Sequence, residues 1–204
     1  DKFNEAYLRF ALHKSSIKDL EKKDLWASEI EARVKLDDYD QALYIANSTF
    51  LKEDRLKLLA ILAKQIKLND QTIDPNLVDQ IKSLYSQIDF TKIRDKAFEI
   101  ASLLIYCSFE LAIELVEKIS DSTAGKNSLD YALTYLSLYA TEANRKSKTR
   151  VADVDLISAK IQDNDLKGIS KGISFLSEKY NAEQIISHVS NLSKFSQKLF
   201  FLKS

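Results

Sequence analysis

The sequence is poor in residues that make tight turns, with three glycines and one proline among 204 residues. A sheet protein of this size needs many such turns, and glycine, proline and Asn-Gly pairs supply them. Leu, Lys, Ala, Glu and Ile, which favour or tolerate helix, dominate instead. The composition therefore predicts an all-α fold.

An excess of charge of either sign is also missing, because 30 basic and 30 acidic residues give a formal net charge of zero. Nucleic-acid-binding modules normally carry a basic excess that displaces counterions from phosphates, so we expect no nucleic-acid partner. The longest nearly apolar stretch, Ile100 to Phe109, is far shorter than the ~18 residues of a membrane helix. We therefore expect no membrane partner.

The single cysteine, Cys107, cannot form an internal disulfide, which suits a cytoplasmic protein.

Residues that carry catalysis or bind cofactors are scarce. His13 and His188 are the only histidines, and Cys107 has no second cysteine at metal-ligand spacing. Cys107 follows an apolar run, which favours an inert core thiol. The segment Thr123–Ser128 lacks the first glycine of a phosphate loop and is interpreted as a turn between helices. We therefore predict no catalytic residue, no cofactor and no metal in this chain.

Apolar residues recur at three- and four-residue spacing nearly throughout, which indicates helices with one buried face. Short polar breaks separate these segments, as in helical hairpins. Asp74-Pro75 is a helix start signal, because Asp caps free amides and Pro fits the first helical position. The pattern predicts helices over residues 2–13, 17–36, 39–50, 53–68, 75–88, 92–107, 109–119, 128–143, 151–162, 165–179 and 181–202.

Part of the sequence repeats at a spacing of about 35 residues, the length of a helix-pair repeat. Tyr39 corresponds to Phe109 and Ala42 to Ala112, both 70 positions apart, which is two such units. One helix pair cannot bury its apolar face alone, whereas stacked copies share a continuous core. We therefore predict a single helical-repeat domain over residues 1–204, an α-solenoid of about five stacked antiparallel helix pairs.

The best repeat unit resembles the tetratricopeptide (TPR) repeat, whose unit is about 34 residues. Trp26, Leu36, Tyr39 and Ala42 fall at the spacing of that family, whereas Arg33 replaces its tyrosine. The resemblance extends over roughly residues 20–120. It implies a TPR-like architecture in which the first helix of each pair lines a concave groove.

More loosely, the degenerate repeats DYDQALYIA and FELAIELVEKI and the Lys/Asn/Ile-rich composition resemble the C-terminal repeats of bacterial STAND NTPases. That family includes antiviral Avs defence proteins, whose repeat arms sense a foreign protein and relay binding to a nucleotide-binding core. The resemblance implies a protein-recognition module, not an enzyme, that acts as the sensing arm of a larger NTPase. The alternatives are a helical hydrolase or transferase with an unrecognised site and a structural spacer.

Both ends of the sequence lead us to expect a fragment of a longer protein. The chain begins at Asp1 without a methionine and contains none. It ends with an apolar cluster, Leu199 to Leu202, that water disfavours. We expect the remainder of the protein to pack on this C-terminal end.

Three tyrosines are the first candidates for partner binding. Tyr131, Tyr135 and Tyr139 are spaced by four on one predicted helix and therefore share one flank of it. Tyrosine joins apolar area to a hydroxyl and is well suited to binding. The stripe either packs between neighbouring helix pairs or lines a groove.

A basic segment supplies the other candidates. Arg145, Lys146, Lys148 and Arg150 lie where the 35-residue spacing breaks, so we interpret residues 144–150 as an inserted loop. Insertions in loops are tolerated at low cost, and loops often carry function. This segment either contacts an acidic protein surface or phosphate, or is a solvated linker.

Overall fold

A computed structural model describes residues 22–121, 128–149 and 151–177. Within these ranges the chain forms nine α-helices, one short 3-10 helix and no strand, which confirms the predicted all-α fold. The helices predicted over residues 2–13 and 181–202 lie outside the described residues. The α-helices are α1 Lys22–Lys35, α2 Tyr39–Asn47, α3 Lys52–Leu68, α4 Pro75–Tyr85, α5 Arg94–Leu104, α6 Phe109–Asp121, α7 Ser128–Lys146, α8 Val154–Lys160 and α9 Asn164–Ser177.

The chain divides into two compact units, residues 1–88 and 89–204. In the first unit α1 contacts both α2 and α3, α2 also contacts α3, and α3 contacts α4. Helix α3 is the most deeply buried of the four, and Leu56, Leu59, Ala60 and Ala63 on it have no exposed area. Ala42 and Ala46 on α2 are equally buried, and their small side chains let neighbouring helices approach closely.

Helices α1 and α3 end in the same way. Asp37 and Asp70, with φ of 57° and 60°, adopt the left-handed conformation that glycine usually supplies. In α1, Asp38 N donates to Arg33 O at 2.9 Å, and in α3, Gln71 N donates to Ile66 O at 3.1 Å. This bond pattern closes both helices with a Schellman motif.

Side chains also join these two helix ends. The Asn69 amide donates to Val34 O at 3.5 Å, and the Gln71 amide donates to Asp37 Oδ1 at 3.4 Å. The C-terminal ends of α1 and α3 therefore lie beside each other.

The second unit begins with the 3-10 helix Phe90–Lys92, which Asp89 caps by accepting from Thr91 N at 3.2 Å. Helix α5 contacts α6, and α6 contacts α7. Helices α7, α8 and α9 contact one another.

A chain of buried hydroxyls links the last three helices. Ser170 Oγ on α9 lies 2.6 Å from both Ser137 Oγ on α7 and Ser158 Oγ on α8. Small side chains at this crossing allow the backbones to approach closely.

The two segments that the sequence pairs 70 residues apart, at the starts of α2 and α6, occupy like positions in their helices. Tyr39 and Phe109 are the first residues of α2 and α6, and Ala42 and Ala112 have no exposed area. Ala42 N donates to Asp38 O at 3.1 Å, and Ala112 N donates to Ser108 O at 3.2 Å. The two places are alike, as the 70-residue correspondence predicts. The single domain over residues 1–204 and the stack of about five pairs stay predictions.

Some helix bounds differ from those that the sequence pattern predicts. Helix α2 ends at Asn47 instead of residue 50, and the Ser48 hydroxyl donates to Tyr44 O at 2.7 Å. The segment predicted as one helix over residues 92–107 starts as a 3-10 turn and becomes α-helical at Arg94. Helix α8 is shorter than predicted and begins at Val154, where the Asp153 carboxylate accepts from Asp155 N at 3.1 Å.

The carboxylate of Asp130, near the start of α7, holds the turn between α8 and α9. Its Oδ1 accepts from Gln162 N at 3.1 Å and its Oδ2 from Asp163 N at 2.8 Å, and the residue is only 5% exposed. We expect Asp130→Asn to destabilise the fold by about 1–3 kcal/mol, because the amide can accept only one of these bonds. Urea unfolding of the variant measures the loss.

Glu110→Gln is the matched control, since Glu110 is exposed on α6. It should change the free energy of unfolding by less than about 0.5 kcal/mol. Equal effects of the two substitutions would show that the Asp130 bonds add nothing to stability.

Candidate functional site

Helix α7 has one buried and one exposed half. At 100° per residue, its fully buried residues fall on one side of the helix, and they are Leu133, Leu136, Ser137, Ala140 and Ala143. Tyr131, Tyr135 and Tyr139 lie on the other side and are 54%, 58% and 43% exposed. The tyrosine stripe therefore lies outside the buried core.

Tyr139 has a defined aromatic neighbour. Its ring centroid lies 5.9 Å from that of Phe98 on α5, and the ring planes meet at 65°. This edge-to-face geometry is the favoured one for aromatic pairs. It holds one end of the stripe in place while leaving much of the ring accessible.

The interpretation of residues 144–150 as an inserted loop is wrong for its first half, because α7 continues to Lys146. Lys146 Nζ pairs with Glu142 Oε1 at 2.5 Å across one helical turn. Arg145 and Lys146 occupy the last turn, where basic residues interact favourably with the helix dipole. Lys148 is exposed beyond the helix, and Arg150 lies outside the described residues.

Asn144 fixes the chain that follows this helix. Its Oδ1 accepts from Val151 N at 2.9 Å and from Ala152 N at 3.0 Å, and its Nδ2 donates to Ala152 O at 2.9 Å. One amide side chain on α7 therefore holds the backbone of Val151 and Ala152, shortly before α8 begins. The sequence pattern carries no signal for this contact, because an asparagine in a basic segment is typical of an open loop.

The helix extension brings the two predicted sets of site residues together. Lys146 lies eleven positions after Tyr135, which places the two about 20° apart around the helix axis. The distance along the axis from Tyr131 to Lys146 is about 22 Å. We define the α7 face as Tyr131, Tyr135, Tyr139, Arg145 and Lys146, an exposed aromatic strip with a basic end.

The groups considered for catalysis do not converge in the described residues. These residues contain no group of three or more His, Cys, Asp or Glu that could hold a metal ion. His13 and His188 lie outside them. None of the helices in the described ranges is both long and apolar enough to cross a membrane.

Cys107 lies in the turn after α5, where its sulfur donates to Leu104 O at 3.6 Å. Part of the residue is exposed, yet burial of the sulfur raises the pKa of the thiol to about 12. A thiol with such a pKa stays protonated at neutral pH, whereas a nucleophilic cysteine needs a lowered pKa.

In comparisons with known proteins, no family model, no curated protein and no solved structure matches the chain. The resemblances to TPR repeats and to STAND NTPases therefore gain no support from these comparisons, and both stay predictions.

Replacing Asn144 tests the clamp at the end of the α7 face. We expect Asn144→Ala to destabilise the fold by about 2 kcal/mol, because three hydrogen bonds to the backbone of Val151 and of buried Ala152 are lost. Asn144→Asp keeps the two accepting bonds and should lose about half as much. Hydrogen exchange at the Ala152 amide should accelerate in the alanine variant, and an unchanged rate would rule out the clamp.

The Cys107 thiol should react slowly with a thiol reagent. Only the thiolate reacts, and its fraction falls tenfold for each unit that pH lies below pKa, so a shift from about 8.5 to about 12 removes roughly 1,000-fold. We expect the disulfide reagent DTNB at pH 8 to modify the native chain at least about 100-fold more slowly than the urea-unfolded chain. Equal rates in the two states would contradict a protonated thiol.

Proposed function

We propose that the chain is a protein-recognition module with a TPR-like repeat architecture, and that the α7 face binds its partner protein. The observation that carries the proposal is the line of three tyrosines that are 43–58% exposed on a helix whose other side is buried. Tyrosine is enriched at protein interfaces, where its ring buries apolar area and its hydroxyl donates or accepts.

The exposed aromatic area is large enough to matter for binding. An aromatic side chain buries about 150–250 Å², so the exposed parts of the three rings offer roughly 230–390 Å². At about 25 cal/mol per Å² this is worth roughly 6–10 kcal/mol before any cost is subtracted. Association itself costs about 4–15 kcal/mol. The two ranges overlap, so the tyrosines can anchor an interface when further contacts around them add to the binding energy.

The basic end of the α7 face favours a partner with acidic groups at one side of its contact surface. Lys146 pairs with Glu142, and Arg145 is exposed in the same last turn of the helix. Charges at the rim of an interface act mainly on the association rate and on its salt dependence.

The repeat architecture is supported by equivalences between helix pairs. Helices α2, α4 and α6 begin at Tyr39, Pro75 and Phe109, which are 36 and 34 residues apart. In the first unit, α1 contacts both its own partner α2 and the next helix α3. Such spacing and contacts are typical of stacked helix pairs. The proposal keeps the sensing arm of a larger STAND-type NTPase as the setting for this module.

The alternatives have weaker support. A purely structural spacer needs no line of accessible aromatic rings, which leaves the α7 face unexplained. A helical hydrolase or transferase needs titratable groups that converge in a pocket. The raised pKa of the Cys107 thiol counts against that residue as its nucleophile.

A crosslinking experiment identifies the partner and tests the α7 face. A photoreactive amino acid replaces Leu138, which lies among the tyrosines on α7, and in a second sample it replaces Tyr44, which is 70% exposed on α2. We expect one protein to crosslink from position 138 and not from position 44.

The captured protein is then purified and its affinity measured. We expect the triple variant Tyr131→Ser, Tyr135→Ser, Tyr139→Ser to bind at least about 30-fold more weakly, since anchor residues carry most of the binding energy. The control Tyr44→Ser should bind within about twofold of the original chain. The pair Arg145→Ser and Lys146→Ser should slow association, and more so at low salt. Normal binding by the triple variant would place recognition elsewhere.

A further inference from the structure

The first unit contains a cavity of about 220 Å³ between α2, α3 and α4. Its apolar lining includes Leu43, Ile66 and Leu77, and its polar lining includes Asp40, Asp74 and Gln80. Ile66 and Leu77 are buried, at 7% and 5% exposure, whereas both aspartates are exposed. The cavity therefore has an apolar floor and carboxylates at its opening.

The charged residues that line this cavity, Asp40 and Asp74, are both acidic. The two segments that supply most of its lining, residues 36–51 and 68–81, contain six aspartates and neither lysine nor arginine. Among these aspartates, Asp38 is neutralised by Arg33, whose Nη1 lies 2.6 Å from its Oδ2. The excess of negative charge is local, because the whole chain has a formal net charge of zero.

The two carboxylates at the opening have acceptor oxygens to offer. Asp74 Oδ1 caps α4 by accepting from Asn76 N at 2.8 Å, which leaves Oδ2 available. Asp40 lies in the first turn of α2. Neither carboxylate forms an ion pair within the part of the chain that the structure describes. Gln80 keeps its amide near them, with Oε1 accepting from Asn47 Nδ2 at 3.5 Å.

We propose that this cavity binds the side chain of a lysine or arginine in a partner protein. The aliphatic stem of such a side chain packs against Leu43, Ile66 and Leu77, and its charged head binds Asp40 and Asp74. Basic side chains combine an apolar stem with a cationic end, which is the combination that an apolar floor under a carboxylate opening fits.

The size of the cavity favours one side chain over a whole small molecule. Sites for drug-sized ligands measure about 300–1,000 Å³, and this cavity measures about 220 Å³. The inference goes beyond the proposed function, because it concerns the other unit of the chain and a ligand of defined charge. Its failure and that of the α7 face are separable, since no residue of the α7 face lines this cavity.

The test is a titration of the isotope-labelled 204-residue chain with the tripeptide Ala-Lys-Ala, capped at both ends and followed by NMR. A single side chain should bind with a dissociation constant of roughly a millimolar. We expect saturable shifts centred on Leu43, Leu77 and Gln80. Ala-Arg-Ala should shift the same signals. The norleucine peptide, which keeps the stem and lacks the charge, should bind at least about fivefold more weakly.

Variants with neutral side chains show whether binding depends on the two carboxylates of the cavity or on the negative charge of the region in general. Asp40→Asn with Asp74→Asn should weaken the lysine peptide about tenfold, and asparagine keeps the helix cap at position 74. The matched control is Asp79→Asn, which removes an exposed carboxylate from the same helix α4 outside the cavity lining. It should change the affinity less than about twofold. Thermal unfolding of each variant checks that the fold is intact.

Several results would overturn the proposal. The first is equal binding of the norleucine peptide, which would make the cavity merely apolar. The second is a loss of affinity in Asp79→Asn as large as that in the variant with Asp40→Asn and Asp74→Asn, which would mean that the peptide responds only to the overall negative charge. The third is the absence of shifts around the cavity at millimolar peptide. Cadaverine binding more than about tenfold tighter than Ala-Lys-Ala would identify a free diamine as the occupant and also overturn it.

Discussion

Each helix of this protein depends on the apolar side that it buries against its neighbours. The α-helices have 7 to 19 residues, and isolated helices of this length are marginal in water. The contacts that stabilise them use alanine at close approaches, and Ala42, Ala63, Ala97 and Ala112 have no exposed area. A side chain without rotamer freedom loses no entropy on burial. The same positions leave little room for longer side chains, which fits alanine at both Ala42 and Ala112.

The shortage of glycine has consequences for charge as well as for the backbone. Helices α1 and α3 use Asp37 and Asp70 in the left-handed conformation, and α4 uses Asp74 as its N-cap. The Asp37 carboxylate also accepts from the Tyr39 hydroxyl at 3.0 Å, so one side chain serves both the end of α1 and the start of α2. Helix-end chemistry therefore concentrates carboxylates at one end of these helices. One carboxylate at the cavity opening, that of Asp74, is therefore also a helix cap.

Much of the fold could be predicted from the sequence, because helix periodicity and start signals are local. The start of α4 at Pro75 and the like positions of Tyr39 and Phe109 agree with the sequence reading. The left-handed conformation of Asp37 and Asp70 could not be predicted, because a glycine usually marks such a helix end and none stands at these positions. Helix α7 extends to Lys146, and its last turns contain the Lys146–Glu142 pair and the Asn144 clamp. That clamp joins Asn144 to residues seven and eight positions later, a contact that helix periodicity does not predict.

The candidate site shows the same division between local and spatial information. The spacing of Tyr131, Tyr135 and Tyr139 predicts that they share a flank of one helix. Whether that flank is buried depends on which side of α7 meets its neighbours. The side that does so carries Leu133, Leu136 and Ser137, all without exposed area, and the tyrosines lie on the other side. Spacing therefore predicts the composition of the stripe, and tertiary packing decides its exposure.

The local distribution of charge carries information about partners that the formal net charge of the chain does not. A formal net charge of zero argues against a nucleic-acid partner, but it sums regions of opposite sign. Residues 36–51 and 68–81 carry six aspartates without a basic residue, whereas residues 144–150 carry four basic residues without an acidic one. Fields of this kind act within about 8–10 Å at physiological salt, so each segment attracts only those charged groups of a partner that come close to it. A local excess of one sign therefore favours particular contacts over general attraction to any charged surface.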